Sequence, residues 1–495
     1  MGAGQMDIKK FLVLILCLML LVSCSSEQLK SDIVEEPREG LKRDIVEEPR
    51  GGLKGDIVEE PSKLEALPST DLDRPEKLQI GVNFIRFYWS EDNSQSETGS
   101  FDTPSDYVQP EAIFEDFSKL GINTFRQFIK ADFLWNIIES QDNQWDFSQA
   151  DNVVTNPDFE PIVTLFAIQY ASPTPPWTES NKDFQKTLGL EAKDYIETLI
   201  DRYGDYVTYW ELGNEMSHWV AAENPPEDSS LPFYYPLDGF SPQEQGFFLR
   251  QVSEFIKGRD PDAVIVLPGM GGIGAHSLDF WLEGVIEGAG GTDWFDIVNY
   301  HFYGGWESFT KQRQQFDQKL VELSIDDKPV WLTETGSTSS ETLTLRTDYP
   351  NSEESQCADV FRRIIQAYGY GDDLVFWHTY IGSSGEENDW RDYGLRSPVG
   401  EFRKTYYTFK LLIHELIPFE SVELIFSDPQ GKNVYLITTD EGDEKYVVWG
   451  TGGYEVAEGI TKMTSVIPNE GNNFDWEDVN KGDTIELTEV PVLMQ

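Results

Sequence analysis

"YVTYWELGNE" (206–215) reads as a buried strand that runs into a tight turn. Tyr209, Trp210 and Leu212 suit a pleated, half-buried surface. Gly213 is the residue that bends most cheaply. Asn214 and Glu215 are left at the tip, an amide beside a carboxylate. A lone carboxylate there is a solvated loop residue or half of an ion pair. It gains chemical meaning if a second carboxylate arrives at the same place.

Seven more apolar runs of strand length flank this one: "LQIGVNFIRFY" (78–88), "INTFRQF" (122–128), "EPIVTLFAI" (160–168), "AVIVLPG" (263–269), "FDIVNYHFYG" (295–304), "PVWLTETG" (329–336) and "DLVFWHTY" (373–380). Longer stretches of helical period lie between them, the pattern of repeated βα units. Eight strands over about 300 residues predict an α/β chain folded as a (β/α)8 TIM barrel with loop insertions. A doubly wound sheet is the other α/β solution, but no glycine-rich phosphate turn follows the first strand.

Such barrels place their chemistry at the C-terminal ends of the strands. The polar residues there are Arg126, Asn214–Glu215, His301 with Tyr303, and Glu334 in "WLTETG"; Trp377 ends the eighth strand. Glu334 is the partner that Glu215 lacked. Two carboxylates at one barrel mouth are the minimum equipment for hydrolysing a glycosidic bond, one as acid and one as nucleophile or base.

The ordered set resembles clan A of the glycoside hydrolases, the retaining (β/α)8 enzymes. The resemblance covers roughly residues 77 to 415. It implies that Glu215 is the acid/base, Glu334 the nucleophile, and Arg126, Asn214, His301, Tyr303 and Trp377 the groups that hold the substrate and tune the pair. "WNIIESQDNQWDFS" (135–148) resembles a Trp…Glu…Gly-x-aromatic-Asp-Phe stretch of several clan members, with Asn143 where Gly is commoner. No histidine follows the third strand, where family-five cellulases have one; Gln169 and Tyr170 occupy that region.

The chemistry accounts for the residue types. An acid must keep its proton near neutral pH, which burial and a facing anion favour. A nucleophile must stay ionised, which Arg126 and the Tyr303 hydroxyl support. Asn214 is placed to hydrogen-bond a sugar 2-hydroxyl. Trp377, and the loop residues Trp177, Trp219, Trp306 and Trp390, offer faces for sugar stacking. Each has a plainer alternative: a barrel-interior ion pair between Arg126 and Glu211, a satisfied core histidine at His301, and packing for the tryptophans.

Composition excludes other classes. With 88 acidic residues against 38 basic ones, the net charge of −50 repels nucleic acid and anionic membrane surfaces. No His-Glu-x-x-His, Gly-x-Ser-x-Gly or cysteine cluster occurs, so zinc, serine-hydrolase and redox chemistry lack residues. No metal and no cofactor is expected, and the chain is expected to act as a monomer on a carbohydrate.

Lys9 and Lys10 precede "FLVLILCLMLLVS" (11–23), too short and wrongly flanked for a membrane span. The run ends in Leu21-Val22-Ser23-Cys24, which resembles a bacterial-type lipobox. That resemblance implies a signal peptide at 1–23, a lipid on Cys24, and a place in the cell envelope facing the periplasm or exterior. Residues 24–76 carry three copies of "DIVEEP", at Asp32, Asp44 and Asp56, and read as a flexible acidic linker. The barrel is expected over 77–415. From 416 on, "NVYLITTDE", "EKYVVWGTG", "ITKMTSVIP" and "DTIELTEVPVLMQ" read as strands of a small β-sandwich. The rival from another class is a surface glycan-binding lipoprotein whose barrel has lost activity.

Overall fold

The structure, a computed structural model, describes residues 78–84, 110–127, 135–154, 156, 158–165, 190–218, 241–340, 352–382, 392–397, 400–428 and 431–495. The signal segment, Cys24, the acidic repeats, Gln169, Tyr170, Trp177, Trp219 and Trp390 lie outside them.

Eight parallel strands form the barrel: β1 (Ile80–Phe84), β2 (Thr124–Gln127), β3 (Glu160–Thr164), β4 (Tyr209–Glu211), β5 (Val264–Val266), β6 (Val298–Phe302), β7 (Val330–Thr335) and β8 (Leu374–Trp377). They are hydrogen-bonded in the order β5-β4-β3-β2-β1-β8-β7-β6. Single parallel bridges, Val266 to Ile297 and Met270 to Tyr300, close the ring between β5 and β6. Every one of the eight expected runs supplies a strand, and the (β/α)8 barrel is the observed fold.

Alternation along each strand sorts the side chains into two cores. Ile162, Val266, Ile297, Trp331, Leu374 and Phe376 point inward and fill the lower barrel. Gly81 belongs to this layer: a Cβ there would stand 2.3 Å from the Phe376 ring, so the close approach admits only glycine. The outward set, including Val82, Phe125, Val163, Trp210, Ile265, Val298, Leu332 and Val375, packs under the helices. Among those helices are Pro242–Arg259, Trp306–Glu322 and Glu353–Gly369. The first begins at a capping box, Ser241 accepting from the Glu244 N–H while Glu244 accepts from the Ser241 N–H. Cys357 is buried and free, with burial pushing its thiol up to about 12.

Beyond the helix Lys404–Leu416 the chain is all β. A six-stranded antiparallel sheet runs in the order β9 (Phe419–Ser427), β10 (Asn433–Thr439), β11 (Glu444–Trp449), β16 (Val492–Met494), β13 (Lys462–Ser465), β14 (Glu477–Asp478). The pair β12 (Gly452–Glu455) and β15 (Thr484–Leu487) lies apart from it. Val434, Val448, Val456, Ile460, Leu487 and Met494 make a core between them. The strand β9, "FESVELIFS", was not among the sequence-read strands, and "DTIELTEVPVLMQ" is two strands, with Pro491 between them.

The other face of the sheet joins the barrel's helices. Tyr435 stacks on Trp449 at 5.1 Å, and Trp449 meets Trp306 edge-on at 6.3 Å. The Arg362 guanidinium lies 5.0 Å over the Trp306 ring and donates to the Glu489 carbonyl at 3.0 Å. Trp306 is therefore buried between sheet and helices, which corrects its expected place as a sugar-facing loop residue.

Candidate active site

Arg126 is the centre of the barrel mouth. It is fully buried on β2, and its planar fork reaches three strands. Nε and Nη2 donate to Glu211 at 2.6 and 2.9 Å, Nη2 to Asn214 Oδ1 at 2.7 Å, and Nη1 to Glu334 Oε1 at 2.6 Å and to Asn83 Oδ1 at 3.2 Å. The ion pair with Glu211 and the contact with the predicted nucleophile, posed as alternatives, are both present. The two anions hold the guanidinium's pKa above its ordinary value despite burial. Glu211 is satisfied further by Thr164 Oγ1 at 2.7 Å, Asn299 Nδ2 at 2.7 Å and the Gly269 N–H at 3.2 Å. Buried charges persist when paired and hydrogen-bonded in this way.

Glu334 ends β7. Besides Arg126 it accepts from the Tyr303 hydroxyl at 2.6 Å. Burial alone would raise its pKa, but the charges of His301, His378 and Arg126 outweigh burial and hold it below the usual value. Burial pushes His378 down to about 4, so that ring is uncharged at neutral pH, whereas the Arg126 guanidinium stays charged. Burial, with Glu334 beside it, pushes the Tyr303 hydroxyl well above its ordinary value, so it remains a donor.

Two residues of β7 face inward in succession because the ladder slips. Tyr300 pairs with Leu332 and His301 with Glu334, which leaves Thr333 as an extra residue. A bulge of this kind re-aims side chains beside a site. Here it points Thr333 and Glu334 to the same interior.

Glu215 comes from β4 by way of the bend. Gly213 has φ +111° and Glu215 itself φ +48°, a left-handed conformation that costs a non-glycine residue about 1–2 kcal/mol. The Glu215 N–H donates to the Gly269 carbonyl at 2.8 Å, which pins the strained residue to β5's extension. Its side chain is 26% exposed, and Oε1 lies 2.9 Å from His301 Nδ1. A Cβ on Gly269 would come within 2.1 Å of His301 Nε2, so glycine is required for the ring to lie there.

Donor atoms of Glu215, His301 and Glu334 all lie within 4.8 Å of one another. That spacing would suit a cation, but the permanent charge of Arg126 stands 2.6 Å from Glu334 and Tyr303 occupies its other oxygen. The donor set does not fit a divalent ion.

Of the seven sequence-chosen residues, six converge: Arg126, Asn214, Glu215, His301, Tyr303 and Glu334. Trp377 does not. It is 0% exposed, belongs to the core under the helices and donates to the Tyr393 carbonyl at 3.3 Å. The next residue, His378, faces the mouth instead, with Nδ1 3.8 Å from Glu334 Oε2. The sugar-stacking role assigned to Trp377 is thus withdrawn; side chains alternate along a strand, and the expectation took the wrong parity. Asn83, Asn299, Thr333 and His378 were missed. All four are polar residues inside apolar strand runs, and that is the signal that marks inward-facing positions.

Outside the site, "WNIIESQDNQWDFS" folds as a short helix, Trp135–Ile138, and a hairpin of Glu139–Gln141 with Gln144–Trp145. Buried Glu139 accepts from Trp135 Nε1 at 2.7 Å and from the Asn143 N–H at 2.8 Å. Asn143 has φ +58°, which explains why glycine suits its position and why asparagine substitutes.

No protein-family description and no curated protein matches the chain. Solved structures do. A family 39 glycoside hydrolase from the gut symbiont Bacteroides cellulosilyticus superposes with a TM-score of 0.55 over 87% of this chain and 82% of that one, at 18% identity. A family 39 β-xylosidase from Caulobacter crescentus gives 0.52 over 84% and 95%, at 15% identity. An α-L-arabinofuranosidase from Thermotoga maritima gives 0.52 over 84% and 96%, at 12% identity. What these likenesses show is the fold: this chain is a (β/α)8 TIM barrel that continues into a C-terminal β domain.

Proposed function

We propose that the chain is a retaining glycoside hydrolase that cleaves β-glycosidic bonds in oligo- or polysaccharides by double displacement. The observation that carries the reading is the pair of carboxylates at the mouth, with oxygens within 4.8 Å, in unlike surroundings. Retention needs carboxyl groups about 5–5.5 Å apart, whereas inversion leaves about 6.5–9.5 Å for a water. Glu334, under Arg126 and Tyr303, has the surroundings of an ionised nucleophile. Glu215, about a quarter exposed and bonded to His301, has those of a group that gives up a proton and takes it back. Asn214, its Oδ1 held by Arg126, would offer Nδ2–H to the sugar 2-hydroxyl. The structural neighbours carry glycosidase names, which agrees with the reading.

Azide separates the two roles. Glu334→Ala removes the group that attacks the anomeric carbon and should lower kcat/KM by about 10⁵, or about 7 kcal/mol, on every substrate. Glu215→Ala should still form its glycosyl-enzyme from an activated aryl glycoside and then stall. Azide needs no base, so it should rescue Glu215→Ala with retained configuration and Glu334→Ala with inverted configuration. Swapped products would reverse the assignment. A parent chain inactive on aryl glycosides and on a polysaccharide panel would favour a glycan-binding barrel instead.

A further inference from the structure

The hydrogens around His301 are set by a chain of bonds that starts away from the reacting pair. Glu211 is ion-paired with Arg126 and can only accept. Asn299 approaches Glu211 Oε1 at 2.7 Å, so it must present its amide NH₂ there. Its Oδ1 is thereby turned to Thr333, whose hydroxyl donates to it at 2.7 Å. With its one hydrogen committed, Thr333 Oγ1 can only accept from His301 Nε2, 3.1 Å away. Nε2 therefore carries a hydrogen. A neutral His301 then shows a bare lone pair at Nδ1, 2.9 Å from Glu215 Oε1, and two acceptors do not meet at that distance without a proton between them.

We infer that Asn299 and Thr333 are positioning residues that lock His301 in the Nε2–H tautomer and so make the Glu215–His301 couple hold one proton in the resting protein. The inference deepens the reading of Glu215 as acid/base and rests on it for its catalytic meaning. The charged and titratable groups around the couple act in both directions. Glu334 Oε2 lies 3.7 Å from Nδ1 and favours keeping the proton. Arg126 opposes it, but its charge is compensated by Glu211 and Glu334. His378 and the Tyr303 hydroxyl both lie on the Glu334 side, and on the β5 side the ring lies against Gly269.

The arrangement matters in both half-reactions. In the first, Glu334 bonds to the anomeric carbon, the glycosidic C–O bond breaks, and the departing oxygen takes the proton from Glu215. The carboxylate then faces a lone pair. In the second, water attacks, the Glu334 ester bond breaks, and the water's proton returns to Glu215 and restores the bond to His301.

The test reads the tautomer directly. The chain has five histidines, so a ¹⁵N-histidine-labelled full-length sample gives few signals, and His301→Asn identifies the one of interest. In the parent chain the inference requires Nε2 of His301 to stay protonated from acid to alkaline pH; an Nδ1–H tautomer overturns it, whether or not the protein is active. Thr333→Val keeps the shape and removes the acceptor. It should release the Nδ1–H tautomer, which stabilises the Glu215 anion. The alkaline limb of kcat/KM on a poor-leaving-group substrate should then move down by about one pH unit. Thr333→Ser should restore both readouts. An unmoved tautomer and an unmoved limb in Thr333→Val would also overturn the inference. A correct tautomer in an inactive chain would instead sink the hydrolase reading and leave the network standing.

Discussion

The two halves of the barrel interior are built on opposite terms. The lower half is filled by Ile162, Val266, Ile297, Trp331, Leu374 and Phe376, and its stability comes from apolar area removed from water at about 25 cal/mol per Å². The upper half is filled by Asn83, Arg126, Glu211, Asn299, His301, Thr333 and Glu334, each buried and each answered by a specific donor or acceptor. Moving a strand's inward residues from the first kind to the second takes two steps along the chain, as from Tyr209 to Glu211 or from Ile297 to Asn299 to His301. Apolar packing tolerates approximate fits, whereas a buried charge network is stabilising only when complete. The upper layer therefore contributes position more than stability.

The sharpest way to break this contrast is Arg126→Met, which has similar bulk and no charge. It leaves Glu211 and Glu334 buried without their cation, and should lower unfolding stability by about 3–5 kcal/mol in urea titrations at pH 7. A loss under 1 kcal/mol would mean that the upper layer is not an interdependent network.

A pH titration gives the next effect. His378 is held near 4 in the fold by burial, against about 6.5 in an unfolded chain. Its folded value is the lower one, so the unfolded chain binds more protons between them. Stability should be full above about pH 6.5 and fall by about 2–3 kcal/mol on descending to pH 4.5. Glu334 and Asp359, whose values are lowered in the fold, lose their share only below the ordinary carboxylate range. His378→Gln should flatten the slope in the upper window, and an unchanged slope would show that His378 takes its proton without cost.

The smallest effect belongs to the lower layer. Ile162→Val removes one methylene and should cost about 1 kcal/mol with kcat/KM unchanged. A loss of activity there would show that packing at the bottom sets geometry at the top.

How much of this was legible in the sequence follows from what each feature depends on. The eight strands were readable because apolar runs of strand length bounded by turn residues are local, and so were Asn214–Glu215 and Glu334, which stand at their ends. Arg126, His301 and Tyr303 followed from the same rule. Trp377 was placed at the mouth and His378 was missed, because parity at a strand end is decided by pairing with the neighbours and not by the run itself. The bulge that turns both Thr333 and Glu334 inward is a slip between ladders. No property of "WLTETG" announces it. The burial of Trp306 depends on Trp449, more than a hundred residues on, which only the folded sheet brings near. The sequence by itself determined the repeat of strands and helices and the identity of the carboxylates, since both rest on local pattern and residue chemistry. The tertiary structure alone decided which face each strand-end residue presents, that Arg126 joins Glu211 to Glu334, and which way the hydrogens run from Glu211 to His301. Those are properties of contacts between strands distant in sequence, and they exist once the ring has closed.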